Sequence, residues 1–161
     1  MVAVMGYCLR AGSVSDRPLL VSFMQRTYQE IESEASEHLG QTVERHFSAD
    51  TPLWWVLPTL DITEAPSQNK PVGCLWLGNA VDQLSGDRHA CVLLLYVDPR
   101  HRRRGLGTAL MQQAIAWAKS RGDRQIGLQV FCHNQAARQL YEKLGFAAQA
   151  LWMTKPISDS L

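Results

Sequence analysis

The chain has 161 residues, 46% hydrophobic and 19% charged, a composition that is typical of a globular protein and excludes an intrinsically disordered one. The 16 Lys and Arg residues nearly balance the 15 Asp and Glu residues, so no overall charge would draw the protein onto nucleic acid or an acidic membrane. This length predicts a single domain over residues 1–161.

The N-terminal part of the chain predicts two strands that enclose two helices. The stretch GYCLRA predicts the first strand, and Asp16 is expected to cap a helix that has Pro18 in its first turn. A second helix is expected over residues 36–47. The strand PLWWVL follows, and then a loop of turn-forming residues at 62–71.

The middle of the chain predicts a pair of strands, VGCLWLGNAV and RHACVLLLYV, joined by the turn DQLSGD. In the second strand, apolar residues occupy consecutive rather than alternate positions from 90 to 97. Both faces of such a strand must be covered, so we expect it in the middle of a sheet with helices on each side.

The C-terminal part predicts a helix that begins near Leu106 and ends at Gly122, followed by the strand RQIGLQVF. A further helix has Asn134 as its N-cap and Gly145 at its end, and a last strand is expected at AQALWMTK. The order of strands and helices predicts a mixed α/β sheet rather than an all-parallel one.

The cysteines and the apolar runs indicate neither a metal site nor a membrane segment. No two cysteines form a CxxC pair, and each lies in or beside an apolar run, so we expect buried thiols at Cys8, Cys74, Cys91 and Cys132. The N-terminus has no basic region before an apolar segment, so no signal peptide is expected. The longest apolar run is far shorter than the roughly 20 residues that cross a bilayer. We therefore expect a cytoplasmic protein with no metal and no membrane partner.

The stretch RHRRRGLGTALMQQ, residues 100–113, has four arginines and a histidine ahead of two glycines. It leads from a buried strand into a helix, whose first N–H groups have no acceptor within the helix and whose dipole favours an anion. Gly105 and Gly107 let an anion approach the backbone, and arginines donate to phosphate oxygens, so we expect this segment to hold a diphosphate. The Walker pattern G-x-x-x-x-G-K-S/T and the Rossmann pattern G-x-G-x-x-G are absent. A nucleic-acid patch is the alternative, which the balanced charge disfavours.

Three segments together resemble the GNAT superfamily of N-acetyltransferases. The family pattern Q/R-x-x-G-x-G/A is matched by residues 102–107, and the strand before it ends LYVDP, as the fourth strand of the family does. Further along, NQAARQLYEKLGF is similar to the family segment N..A..LYEK.GF. The resemblance covers about residues 95–146. It implies an α/β (α+β) fold with a mixed, mostly antiparallel sheet of six to seven strands and about four helices.

The resemblance also implies a cofactor, acetyl-CoA, and the residues that bind it. The main chain of Leu95, Tyr96 and Val97 would bind the pantetheine arm between splayed strands, and Asn134 would bond the same arm. Backbone amides and arginines of one loop would hold the diphosphate: Arg102, Arg103, Arg104, Gly105, Leu106, Gly107 and Thr108. Tyr141 would protonate the leaving thiolate, since a phenol can donate a proton, and no metal is implied.

The reaction that the resemblance implies is direct attack of an amine on the thioester carbonyl in a ternary complex, with the N–H of Val97 polarising that carbonyl. The general base is left open, because ACVLLLYV has no carboxylate where many members of the family have one. Five candidates remain at this stage, each more readily explained as a surface residue: Glu37, Glu64, Asp87, His89 and His133. The missing carboxylate also leaves open a catalytically idle acyl-CoA-binding sensor or partner protein.

The acceptor is expected to be a small-molecule or peptide amine, chosen by the first two helices and the loop before the third strand. Residues 30–50 contain a single Lys or Arg residue, Arg45, and six acids: Glu30, Glu32, Glu34, Glu37, Glu44 and Asp50. If these acids surround a cleft, they would attract a cationic amine. An exposed acidic helix face explains them equally. Trp54 and Trp55 could stack on an acceptor or fill the core. A homodimer is possible on family grounds.

Overall fold

The computed structural model describes residues 4–31, 38–59 and 70–157. The chain divides into two compact units, Met1–Gln129 and Val130–Leu161. The first unit carries all five strands and three of the four helices found in the described residues. The second carries one helix.

One five-stranded sheet forms the first unit, with its strands in chain order. The strands are β1 (Tyr7–Ala11), β2 (Leu53–Pro58), β3 (Gly73–Val81), β4 (Arg88–Val97) and β5 (Ile126–Leu128). Neighbours pair antiparallel from β1 to β4, whereas β5 pairs parallel to β4. The sheet is therefore mixed and mostly antiparallel, as predicted.

The described residues form four helices, in agreement with the predicted number: α1 (Arg17–Ile31), α2 (Leu39–His46) and α3 (Leu106–Arg121) in the first unit, and α4 (Gln135–Lys143) in the second. The C-terminus of α3 is Gly122, whose φ of +84° is the left-handed conformation that glycine adopts without strain. Asp16 differs from its prediction. It lies in a 3-10 turn, where its carboxylate accepts hydrogen bonds from the Ser13 amide (2.8 Å) and the Trp55 indole (3.1 Å).

The main core lies between the sheet and the first two helices. Phe23 of α1 contacts Trp55 of β2 and Tyr96 of β4 edge-on, with ring centroids 5.1 and 5.5 Å apart. Edge-to-face pairs of this kind add to the stabilisation that burial alone provides. Trp54 is buried as well, so the tryptophan pair of β2 belongs to the interior of the fold. The middle strand β4 contacts both α1 and α3, which explains its unbroken apolar run.

Two sequence predictions about strands and thiols are wrong. The sheet has five strands rather than six or seven, because the expected strand AQALWMTK joins no ladder and its Leu151, Trp152 and Met153 are exposed. Of the cysteines, Cys74 is buried as expected, and burial raises the pKa of its thiol. Cys8 and Cys132 are exposed. In each case the apolar pattern indicates a preference for a strand or for the interior. Whether the segment is buried depends on another element that packs against it, and the pattern does not identify that element.

Candidate functional site: the open end of β4 and the start of α3

The chain turns sharply where β4 ends. Asp98 accepts hydrogen bonds from the Arg100 amide (3.0 Å) and, through both carboxylate oxygens, from the Arg100 guanidinium (3.1 Å each). The Arg100 guanidinium holds the pKa of the Asp98 carboxyl at about 2, so the pair stays charged. A 3-10 turn at Pro99–His101 follows and carries the chain toward α3. The Arg100 guanidinium therefore stabilises this turn through its ion pair with Asp98.

The start of α3 presents free backbone donors. The first N–H that reaches a carbonyl of this helix is that of Ala109, which donates to Gly105 at 3.0 Å. The amides of Leu106, Gly107 and Thr108 precede it and have no acceptor within the helix. Gly105 has a φ of +82°, and a Cβ built there would meet no atom within 4 Å. An anion therefore has both donors and room at this helix start.

The other arginines of the loop have different partners. Arg104 donates to the Tyr7 hydroxyl (2.9 Å), and that hydroxyl lies 2.8 Å from Nδ1 of His101. Arg102 donates to the Val97 carbonyl (2.7 Å) and to the Glu30 carboxylate (2.6 Å). Arg103 has a φ of +62° and no partner for its exposed guanidinium among the described residues. Two of these three arginines are therefore held by hydrogen bonds within the protein, so the loop is not a uniform basic surface.

Among the described residues of the first unit, no strand pairs with one edge of β4 at its C-terminal end. On this side β5 pairs only with Ala90–Val92. Asp98 donates its N–H to Val72 on the β3 side, and in an antiparallel ladder such residues alternate with those that face the other way. Leu95 and Val97 therefore direct their backbone groups to the open edge, whereas the backbone of Tyr96 bonds β3. This gap has the form that a bound extended chain could fill.

The side chain of Tyr96 leads to a carboxylate at the same end of β4. Its hydroxyl donates to Glu30 of α1 at 3.1 Å. Burial, together with the nearby Glu30 carboxylate, raises the pKa of Tyr96, so the phenol remains a proton donor in this hydrogen bond. Glu30 is one of six acids between residues 30 and 50, and nothing in the sequence distinguishes it from the other five. Its partners lie 66 and 72 residues away along the chain.

Two of the five candidate bases lie away from this end of β4. His89 and Asp87 lie at the beginning of the strand, and the eight residue-to-residue steps from His89 to Val97 span about 26 Å at the usual rise per residue. Asp87 pairs there with Arg124 at 3.0 Å. Glu37 and Glu64 lie outside the described residues. Among the described residues of this unit, two carboxylates lie at the end of β4: Asp98, which pairs with Arg100 in the turn, and Glu30, which belongs to α1.

The helix of the second unit begins and ends as predicted. The side-chain oxygen of Asn134 accepts the Ala137 amide at 3.2 Å, which caps α4 and leaves the side-chain NH₂ as a donor. Tyr141 is buried, with Phe146 as an aromatic neighbour at 5.8 Å between centroids. Burial raises the pKa of Tyr141, so its hydroxyl is protonated at neutral pH. His133 precedes the cap and is exposed.

The sequence profile of the Acetyltransferase (GNAT) family matches residues 19–146. The chain belongs to this family. Among curated proteins, an uncharacterized N-acetyltransferase of Methanocaldococcus jannaschii is 40% identical over 82 residues, which is 48% of this chain and 34% of that protein. An uncharacterized N-acetyltransferase of Bacillus subtilis is 30% identical over 90 residues, covering 56% of each chain.

A third relative has a named acceptor, and solved structures share the fold. The [ribosomal protein bS18]-alanine N-acetyltransferase of Escherichia coli is 42% identical over 57 residues, 35% of this chain and 38% of that protein. This chain thus spans between about a third and just over half of these relatives' lengths. A predicted acetyltransferase of Clostridium acetobutylicum, solved with acetyl-CoA, matches with a TM-score of 0.75 at 18% identity, over 93% of this chain and 96% of that one. At that identity it shows the fold alone.

In the described part of the chain, no helix is long and apolar enough to span a membrane. The same residues contain no group of three or more His, Cys, Asp or Glu side chains that could hold a metal ion.

Proposed function

We propose that the protein transfers the acetyl group of acetyl-CoA to a primary amine of a small molecule or peptide. One observation carries the proposal: the free amides at the start of α3 adjoin an unpaired edge of β4 within one unit. An anion-binding helix start beside an open strand edge suits a ligand that has a diphosphate and an extended amide-bearing arm. Family membership supports this reading, and so does the acetyl-CoA complex of the clostridial neighbour.

The residues of the site fit the two halves of such a ligand. The amides from Arg103 to Thr108 would hold the diphosphate, and Gly105 leaves open space where it would approach. Leu95 and Val97 would pair with the pantetheine amides along the open edge of β4. On family grounds we propose that Asn134, whose side-chain NH₂ remains a donor, also bonds the cofactor. The guanidinium of Arg103 is available for a phosphate oxygen.

The chemistry would be direct acyl transfer. The neutral amine nitrogen forms a bond to the acetyl carbon, the carbon–sulfur bond breaks, and Tyr141 gives its proton to the departing thiolate. The proton that the nitrogen then loses passes through water and restores the Tyr141 phenol. The N–H of Val97 would stabilise the negative charge that develops on the carbonyl oxygen. Holding amine and thioester in register supplies most of the acceleration, since well-oriented groups gain about 7–11 kcal/mol. The raised pKa of Tyr141 suits this role because the phenol keeps its proton until the thiolate forms.

Titration calorimetry followed by an amine screen tests the proposal. Coenzyme A is titrated into the protein first. Thiol release from acetyl-CoA is then followed with a polyamine, an aminoglycoside and a lysine peptide, with heat-denatured protein as the control. Binding together with amine-dependent thiol release supports the proposal. Binding without turnover on a broad amine panel would instead favour an idle acyl-CoA sensor, and absence of binding would overturn both. The cytoplasmic location and the homodimer stay predictions.

A further inference from the structure

A small cation-binding site lies where α1 meets the end of β4. It consists of the Glu30 carboxylate, the aromatic ring of Tyr96 and the backbone carbonyl of Val97. Each of these groups attracts a cation by a different interaction: an ion pair, the π face of a phenol, and a carbonyl dipole. We use the name "Glu30 site" for these three groups.

The chain fills the Glu30 site with its own cation. Nη2 of Arg102 lies 2.6 Å from Glu30, Nε lies 2.7 Å from the Val97 oxygen, and the guanidinium carbon lies 5.8 Å from the centre of the Tyr96 ring. The Arg102 guanidinium therefore lies between the Glu30 carboxylate and the Val97 carbonyl at the open edge of β4. The Arg102 side chain is 43% exposed, so it is not enclosed by the core in this position.

The position of Arg102 conflicts with the proposed cofactor contacts. Arg102 occupies the Val97 carbonyl, a group on the strand edge that the pantetheine arm would use. It also belongs to the loop whose amides would hold the diphosphate, and a diphosphate is a strong competing partner for a guanidinium. A cofactor bound in this way would draw Arg102 out of the Glu30 site. It would leave the carboxylate and the Tyr96 ring ready for another cation.

We propose that the Glu30 carboxylate and the Tyr96 ring of the Glu30 site bind the ammonium group of the acceptor amine, and that Arg102 occupies the site until the cofactor is bound. This inference rests on the proposed function and names its substrate class, an amine that is cationic in solution. Glu30 also supplies the negative charge that β4 itself lacks, since its apolar run carries no carboxylate. The other described acids of this region, Glu44 and Asp50, are exposed and form no ion pair with a described residue.

Binding of methylguanidinium chloride to the cofactor-free protein tests the site without any turnover. In an NMR titration, Arg102→Gln is expected to bind methylguanidinium about tenfold or more tightly than the wild type, because it vacates the site. The double variant Arg102→Gln, Glu30→Gln should lose that gain. Adding Glu44→Gln to Arg102→Gln instead should retain it. Equal affinity in the wild type and Arg102→Gln, or a gain that survives Glu30→Gln, would overturn the inference.

Steady-state kinetics with the best acceptor of the amine screen test the same site in the working enzyme. Glu30→Gln is expected to raise KM for the amine roughly tenfold to a hundredfold, the effect of losing a charge-assisted contact. It should not raise KM for acetyl-CoA, because loss of the Glu30 charge frees Arg102 for the cofactor. Glu44→Gln should change neither constant. An unchanged amine KM in Glu30→Gln, with acetylation intact, contradicts this inference alone. A protein with no affinity for coenzyme A would instead defeat the proposed function.

Discussion

Replacing Gly105 with Ala tests whether the turn before α3 holds the cofactor. Gly105 has a φ of +82°, and a methyl group there would meet no atom within 4 Å. The substitution therefore causes no clash, and its cost to folding is that of an alanine in the left-handed region, about 1–2 kcal/mol. For a chain of 161 residues this lowers Tm by about 2–8 °C.

Gly122→Ala is the matched control. Gly122 lies at the other end of the same helix, has a φ of +84°, and likewise has no atom within 4 Å of its Cβ position. Its Tm should fall by the same few degrees. Only Gly105→Ala places a methyl group where the diphosphate would approach and reorients the neighbouring amides. We expect its Kd for coenzyme A to rise about 10- to 100-fold, as for loss of a hydrogen bond to a charged group.

Differential scanning calorimetry gives Tm for both variants, and titration calorimetry with coenzyme A gives Kd. Equal losses of Tm with a loss of affinity in Gly105→Ala alone would separate binding from folding. If both variants bind coenzyme A as the wild type does, the amides at the start of α3 are not the diphosphate site. If Gly105→Ala lowers Tm far more than Gly122→Ala does, the space beside Gly105 is not open in the protein.

Three further predictions concern single side chains. Tyr141→Phe should lower kcat about 10²- to 10⁴-fold in the thiol-release assay, with unchanged calorimetric affinity for coenzyme A; an unchanged kcat would exclude Tyr141 as the proton donor. Tyr7→Phe removes the hydroxyl bonded to Arg104 and His101, so Kd for coenzyme A should rise about threefold to tenfold; an unaltered Kd would mean that this contact does not order the loop. Asp98→Asn should reduce Tm near neutral pH. Because the Asp98 pKa is lowered to about 2, its stabilisation is present above the unfolded value of about 3.9 and is lost as pH falls through about 2. The Tm difference from the wild type should therefore shrink as pH falls from about 4 toward 2, and a constant difference would contradict the assignment.

The sequence predicted the elements around the site because their signals are local. The unbroken apolar run of β4 indicated a strand covered on both faces, and β4 contacts two helices, α1 and α3. Gly122 was expected to end α3, and it caps the helix with a φ of +84°. Asn134 was expected to cap α4 and does so. In each case the structure depends on the residue itself and on its neighbours in sequence, so the local sequence is enough to predict it.

Contacts that depend on distant residues could not be predicted in this way. The hydroxyl of Tyr7 meets His101 across 94 positions, and Glu30 meets Tyr96 across 66. Hydrophobic periodicity indicates which face of an element is buried but not which partner covers it. The same limit explains the expected last strand at residues 148–155, whose apolar composition suits a strand but whose backbone joins no ladder.

A crystal structure of the protein with coenzyme A tests the central claim most directly. The account predicts diphosphate oxygens within hydrogen-bond distance of the backbone N–H groups between Arg103 and Thr108, and the pantetheine arm beside Leu95 and Val97. A nucleotide bound at another edge of the sheet, with those amides left to solvent, would contradict it.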